Sequence, residues 1–266
     1  MLLALEGGKL NGWHAVIIRE VIQVSRKLPL FKMKSIVKSS RVNRAWLNDH
    51  VNDPYVKQAQ KEGYRARAAY KLKEIDETLH LIRPGHLVVD LGAAPGAWCQ
   101  YVSRKLMPKT PTLPTTARAG SRIIALDILP MVAIDGVEII QGDIGDLRVT
   151  ALLAEQLQGQ RADVVLSDMA PNLSGHGAVD AARIESLVEL ALDFALMHLK
   201  PDGALVAKVF HGSSYDDLFR RFQEGFGAVK RIKPKASRDK SAETYLVGLR
   251  PQFPHRHRLD GGVSPL

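Results

Sequence analysis

Asp90-Leu-Gly-Ala-Ala-Pro-Gly-Ala-Trp98 follows the apolar run Leu87-Val-Val89 and leads into Cys99-Gln-Tyr-Val-Ser103, a strand, a tight small-residue turn and a helix start. Gly92, Ala93, Ala94 and Gly96 let backbone approach a ligand closely, and Asp90 sets a carboxylate at the strand end. Neither G-x-G-x-x-G nor G-x-x-x-x-G-K-[ST] is present, so the turn offers no diphosphate cradle. A pocket with an acid at its mouth and no phosphate site suits a ligand carrying adenosine and a positive charge, which describes S-adenosylmethionine. Taken alone, such a turn is also compatible with a plain strand-to-helix connection.

Outward from this turn, strand and helix patterns alternate. Strands are predicted at 87–91, 122–127, 137–141, 163–168 and 204–210, with helices near 97–106, 148–157, 178–199 and 214–225. Alternation of this kind implies right-handed crossovers and a parallel sheet with helices on both faces. Strands near 228–232 and 243–249 have only a loop between them, which predicts an antiparallel hairpin at the sheet edge. The expected class is α/β, a Rossmann-like fold with a mostly parallel seven-stranded sheet. Residues 1–40 read as an N-terminal extension with Met33 as a candidate start, 41–250 as the domain, and 251–266 as a flexible tail. From Arg41 to Leu81, two or three helical segments are broken at Asn52-Asp-Pro54 and Gly63. The Pro/Thr-rich stretch Met107–Thr116 reads as a surface insertion.

Composition narrows the function classes. The 266 residues are 45% hydrophobic, enough for a packed core, and no stretch of eighteen uncharged residues suggests a membrane span. A single cysteine, Cys99, forms no internal disulfide and reads as a buried small residue in a cytoplasmic protein. The net charge of +9 is unevenly placed. Residues 1–80 hold 15 Lys and Arg against 8 Asp and Glu, residues 81–207 hold 10 against 14, and residues 208–258 hold 12 against 5. Basic flanks around an acidic centre are the footprint of a protein that grips a polyanion around a catalytic site. Arg65 and Arg67 in the first flank, and Lys233, Lys235 and Arg238 in the second, are the candidate RNA contacts. Surface lysines kept for solubility are the alternative. His255-Arg-His257 reads as a solvated tail, and no metal site is expected.

In a sheet of this type the ligand lies beyond the carboxyl ends of the strands. Four acids fall there: Asp90, Asp127, Asp143 and Asp168. Any one of them could cap a helix, but four at successive strand ends point to a ligand. The acid after the second strand can accept ribose hydroxyls, and the one after the third can reach an adenine amino group. Lys208 lies near the carboxyl end of the apolar strand Ala204-Leu-Val-Ala-Lys-Val-Phe210, where a solvated lysine would be out of place. Methyl transfer to a weakly acidic ribose hydroxyl needs an aligned acceptor and help with its proton, which an amine in that position could give.

Seven ordered motifs carry a resemblance. They are Arg67-Ala-Ala-Tyr-Lys-Leu72, Asp90 to Trp98, Asp127-Ile-Leu-Pro-Met131, Gln141-Gly-Asp143, Ser167-Asp-Met-Ala-Pro-Asn172, Val206-Ala-Lys-Val-Phe210 and Ser241-Ala-Glu-Thr-Tyr245. Together, from about residue 40 to residue 250, they resemble the FtsJ/RrmJ (RlmE) family of ribosomal RNA large subunit 2'-O-methyltransferases. The resemblance implies a Lys-Asp-Lys-Glu tetrad at Lys71, Asp168, Lys208 and Glu243, with Lys208 as proton acceptor. It implies S-adenosylmethionine held by Gly96, Trp98, Asp127, Asp143 and Asp168, with Asp90 and Gly92 beside them. It also implies a uridine 2'-hydroxyl in 23S rRNA, in the loop serving the A site of the assembled large subunit, as acceptor, and a monomeric enzyme. Ala97 departs from the family's usual Pro-Gly-Gly-Trp loop, a change a helical position tolerates. An NAD-linked oxidoreductase, a non-catalytic RNA-binding factor and a tRNA-directed relative are the rival readings.

Overall fold

The computed structural model describes residues 52–107, 120–171, 175–238 and 241–252. The expectations for residues 1–40, the start of the basic flank, most of the Pro/Thr insertion and the tail lie outside the described residues. Helix α1 (Pro54–Glu62) is started by Asp53, whose carboxylate accepts from the Tyr55 and Val56 amides, and by Pro54 at the first helical position; Gly63 in the left-handed region ends it. Helix α2 (Ala68–Leu79) buries Ala69, Tyr70, Leu72, Ile75 and Asp76 along one stripe.

The alternation then follows: β1 (Leu87–Leu91), α3 (Ala97–Leu106), β2 (Arg122–Asp127), β3 (Val137–Gln141), α4 (Leu147–Gln156), β4 (Ala162–Ser167), α5 (Gly177–His198), β5 (Leu199–Phe210), α6 (Tyr215–Gly225), β6 (Phe226–Ile232) and β7 (Glu243–Pro251). The strands form one seven-stranded sheet in the order β3-β2-β1-β4-β5-β7-β6. Every pairing from β3 to β5 is parallel, while β7 runs antiparallel to both β5 and β6. The expected hairpin is present, with β7 inserted beside β5 and β6 at the edge. β5 begins at Leu199, earlier than the predicted 204, because Leu199 pairs with Ala162 before an irregularity resets the register at Val164 and Ala204.

The continuous apolar runs of the central strands follow from burial on both faces. Leu87, Val89 and Leu91 enter a core with α4, α5 and α6 through residues such as Leu153, Val188, Leu192 and Phe222. Val88, with Ile123, Ala125, Val164 and Val206, enters the opposite core against Leu72, Ile75, Trp98 and Val102 of α2 and α3. Among the described residues no helix is long and apolar enough to cross a membrane. The parallel arrangement sends the carboxyl ends of β1 to β5 to one rim, where the candidate residues collect.

Candidate active site

At that rim a cleft of about 690 Å³ opens, lined by Gly92, Ala94, Asp127, Asp143 and Asp168 and walled by Ile128, Leu129, Ile144, Met169 and Pro171, with Arg183 on its far side. Asp127 is fixed by backbone. Its Oδ2 accepts from the Ala94 amide at 2.8 Å and its Oδ1 from the Leu129 amide at 2.7 Å. The Asp143 carboxylate accepts from the Gly145 amide at 2.8 Å. Gly92 has φ 73°, and a Cβ there would stand 2.5 Å from Met169 Cγ; Gly96 has φ 102°, and its Cβ would stand 2.7 Å from Ile134 Cδ1 and 2.8 Å from Arg65 Nη1. Both positions therefore demand glycine, and the close approach they permit is to neighbouring loops. Ala97 is the first residue of α3, so the departure at that position costs nothing in backbone strain.

Beside the cleft lies a cluster of ions. Antiparallel register sets Lys208 opposite Tyr245 and Phe210 opposite Glu243, which turns all four side chains to one face of the sheet. That face is covered by α2, which delivers Lys71. Lys71 Nζ is 2.5 Å from Glu243 Oε1. Lys208 Nζ donates to the Asp168 carbonyl oxygen at 2.6 Å and stands 3.1 Å from Asp168 Oδ1, which also accepts from the Tyr245 hydroxyl at 2.9 Å. Two cations against two anions make the group neutral, the condition under which buried ions are tolerable. Burial pushes the Glu243 carboxyl up, but Lys71, the Ser237 hydroxyl at 2.8 Å and the more distant Lys208 outweigh it, so its pKa falls below the ordinary value. Burial, and then Asp168 and Glu243, push the Tyr245 phenol well up, so it stays a donor.

The other sequence candidates fall in different places. Asp90 is buried below the turn, accepting from Cys99 Sγ at 3.0 Å, while its Oδ1 has no hydrogen-bond partner. Burial, with Asp168 and Asp127 nearby and the Cys99 bond opposing, pushes its carboxyl up to about 7. Gly96 and Trp98 lie off the cleft lining. The Trp98 indole is buried against Tyr245 and donates to the Ala68 carbonyl at 2.8 Å. Of the five basic candidates, Arg67 pairs with Asp53 and bonds the Ala236 carbonyl, and Arg238 lies 3.6 Å from Asp53. Arg65 is bonded to three carbonyl oxygens. Lys233 and Lys235 are exposed. Sequence reasoning gave no role to Tyr245 or Ser237. The two-residue step from Glu243 to Tyr245 in a strand was a usable signal for the first, but nothing local marks the second. Among the described residues no group of three or more His, Cys, Asp or Glu could hold a metal ion.

A model of the FtsJ-like methyltransferase family matches residues 64–251. A protein of Albidiferax ferrireducens named ribosomal RNA large subunit methyltransferase E is 68% identical over 219 residues, 82% of this chain and 98% of that one. A protein of the same name from Delftia acidovorans is 63% identical over 217 residues, 82% of this chain and 99% of its own. A crystal structure from Plasmodium falciparum, described as a ribosomal RNA methyltransferase, aligns with TM-score 0.60 and 29% identity over 72% of this chain and all of that one.

Proposed function

The chain belongs to the FtsJ-like methyltransferase family, and on that premise we propose that it uses S-adenosylmethionine to methylate the ribose 2'-hydroxyl of a uridine in 23S rRNA, in the A-site loop of the assembled large subunit in the cytoplasm. One observation carries the reading: Asp168 lines the cleft and at the same time holds Lys208 and Tyr245 in the ion cluster. A donor pocket and a proton-handling group thus share one side chain.

The cleft fits the methyl donor. Its carboxylates at Asp127, Asp143 and Asp168 would repel a diphosphate, whereas they can accept from ribose hydroxyls, an adenine amino group and an ammonium. Bound S-adenosylmethionine supplies a methyl group on a sulfonium that departs as a neutral thioether. Asp168 holds the Lys208 ammonium by both its carbonyl and its carboxylate; to act as base, Lys208 gives one proton to solvent and then takes the hydroxyl proton as the oxygen attacks. Lys71 and Glu243 keep a compensated ion pair on the same face, which sets the field in which Lys208 changes charge. Gly96, Trp98 and Asp90 serve the cofactor through the shape of the turn, and the exposed Lys233 and Lys235 supply phosphate contacts.

The test incubates the protein with methyl-labelled S-adenosylmethionine and separate pools of large ribosomal subunits, free rRNA and tRNA, and then maps the modified nucleotide. Label on one 2'-O-methyluridine of the large subunit is expected. Label on tRNA alone would replace the substrate, and no transfer to any pool would remove the activity.

A further inference from the structure

Arg65 sits in the turn between α1 and α2, and its charge marks it as an RNA contact in the sequence. The geometry gives it other work. Its amide donates to Gln100 Oε1 of α3 at 2.7 Å. Its guanidinium donates through Nη1 to the Pro95 carbonyl at 2.9 Å and the Val132 carbonyl at 2.8 Å, and through Nη2 to the Ala133 carbonyl at 2.9 Å. Pro95 belongs to the turn whose Ala94 lines the cleft, and Val132 and Ala133 continue the β2–β3 loop whose Ile128 and Leu129 form its wall. Asp127 ties these two loops together at the cleft through the Ala94 and Leu129 amides, and Arg65 ties them again farther along.

Met131 and Ile134 of the β2–β3 loop pack against the core, and Gln141 and Ser103 donate to its Ile128 and Asp135 carbonyls. Ile128, Leu129 and Val132 are 63%, 60% and 77% exposed, so at these positions backbone hydrogen bonds do more than burial to fix the wall. Three of the five guanidinium N–H donors are already committed to these carbonyls of Pro95, Val132 and Ala133. Only its planar fork spans both loops, since an ammonium is a point donor. We infer that Arg65 is a positioning residue for the cofactor cleft, holding the Asp90–Trp98 turn and the β2–β3 wall at the spacing the methyl donor needs. This rests on the reading of the cleft as the S-adenosylmethionine site.

Calorimetry with S-adenosylmethionine on the full-length protein and its Arg65→Ala and Arg65→Lys variants tests the inference, together with the salt dependence of binding to large-subunit rRNA. Arg65→Ala should weaken cofactor binding about ten- to a hundredfold, the size of one or two charge-assisted hydrogen bonds, and Arg65→Lys should recover only a minor part. Affinity for RNA and its salt slope should not change, and the melting temperature without cofactor separates loop positioning from loss of fold. If Arg65→Ala does not fold, Arg65→Lys alone decides, because it keeps the charge and loses the fork. Unchanged cofactor affinity would overturn the inference, and a salt slope reduced by about one would return Arg65 to the RNA. Failure of the unaltered protein to bind S-adenosylmethionine would instead overturn the reading of the cleft.

Discussion

The cleft and the ion cluster meet at Asp168 but are built by opposite rules. In the cleft, Asp127 and Asp143 are held by backbone amides of residues close in sequence or on the adjoining strand-end loop. Their charges need no cation, and the cleft leaves them open to a ligand. In the cluster, Lys71, Lys208 and Glu243 are largely buried, and each depends on an opposite charge from a different element. Loss of one side chain from the cleft should therefore remove a contact, whereas loss of one from the cluster should leave its partner buried and uncompensated.

The largest effect separating the two regions is expected from Lys208→Ala. Methyl transfer should fall by about a thousandfold or more, within the range for a lost proton acceptor compounded by an unpaired Asp168. S-adenosylmethionine affinity should stay within a few-fold, because Lys208 does not line the cleft. Single-turnover transfer and calorimetry on the same preparation check both halves, and a variant with full activity would remove Lys208 from the chemistry.

Asp90 sharpens the contrast from the cleft side, as an acid below the turn with a thiol and no cation. A carboxyl raised from 3.8 to about 7 favours the folded state fully below 3.8, and that contribution is lost as pH rises through about 7. The ceiling of this term is about 4 kcal/mol by linkage. Asp90→Asn should remove the slope, so its stability relative to the parent protein should rise between pH 5 and pH 8. Urea unfolding of both proteins across that range measures the difference. Parallel profiles would mean that Asp90 is ionised throughout and that its Oδ1 has an unseen donor.

These contrasts also explain what could be read in the sequence. The Asp90–Trp98 turn, the acids at strand ends and the helix bounds are local patterns, and the sheet and cleft follow from them. The tetrad is a product of topology: no spacing rule joins Lys71 on α2 to Glu243 on β7, and only the family resemblance assembled the four. Lys200-Pro-Asp-Gly203 carries a turn signal, which concealed the early start of β5. A charge count marks Arg65, Arg67 and Arg238 as RNA contacts, but it carries no sign of the Asp53 carboxylate and the row of carbonyls that the fold sets beside them.

The smallest expected effect concerns a neutral group that neither a charge count nor a motif would select. Ser237 is buried, and its hydroxyl donates to the same Glu243 oxygen that Lys71 reaches. Its loop is docked on α2, where the Lys235 and Ala236 amides donate to the Glu74 carboxylate at 2.6 and 3.0 Å. Ser237→Ala removes one of the two donors that favour the ionised Glu243, while Lys71 remains. The Glu243 carboxyl should then titrate at a higher pH than in the parent protein. Because activity needs that carboxylate ionised beside Lys71, the acid limb of the pH–rate profile should move to higher pH. Loss of one hydrogen bond to a carboxylate, about 1.5 kcal/mol, should move that limb by about one pH unit, while the rate at neutral pH, where Glu243 stays ionised, and S-adenosylmethionine affinity should not change. An acid limb that does not move would assign the Lys71–Glu243 pair to holding α2 against β7, and would leave Asp168 and Lys208 as the only ions of the cluster that act on the acceptor.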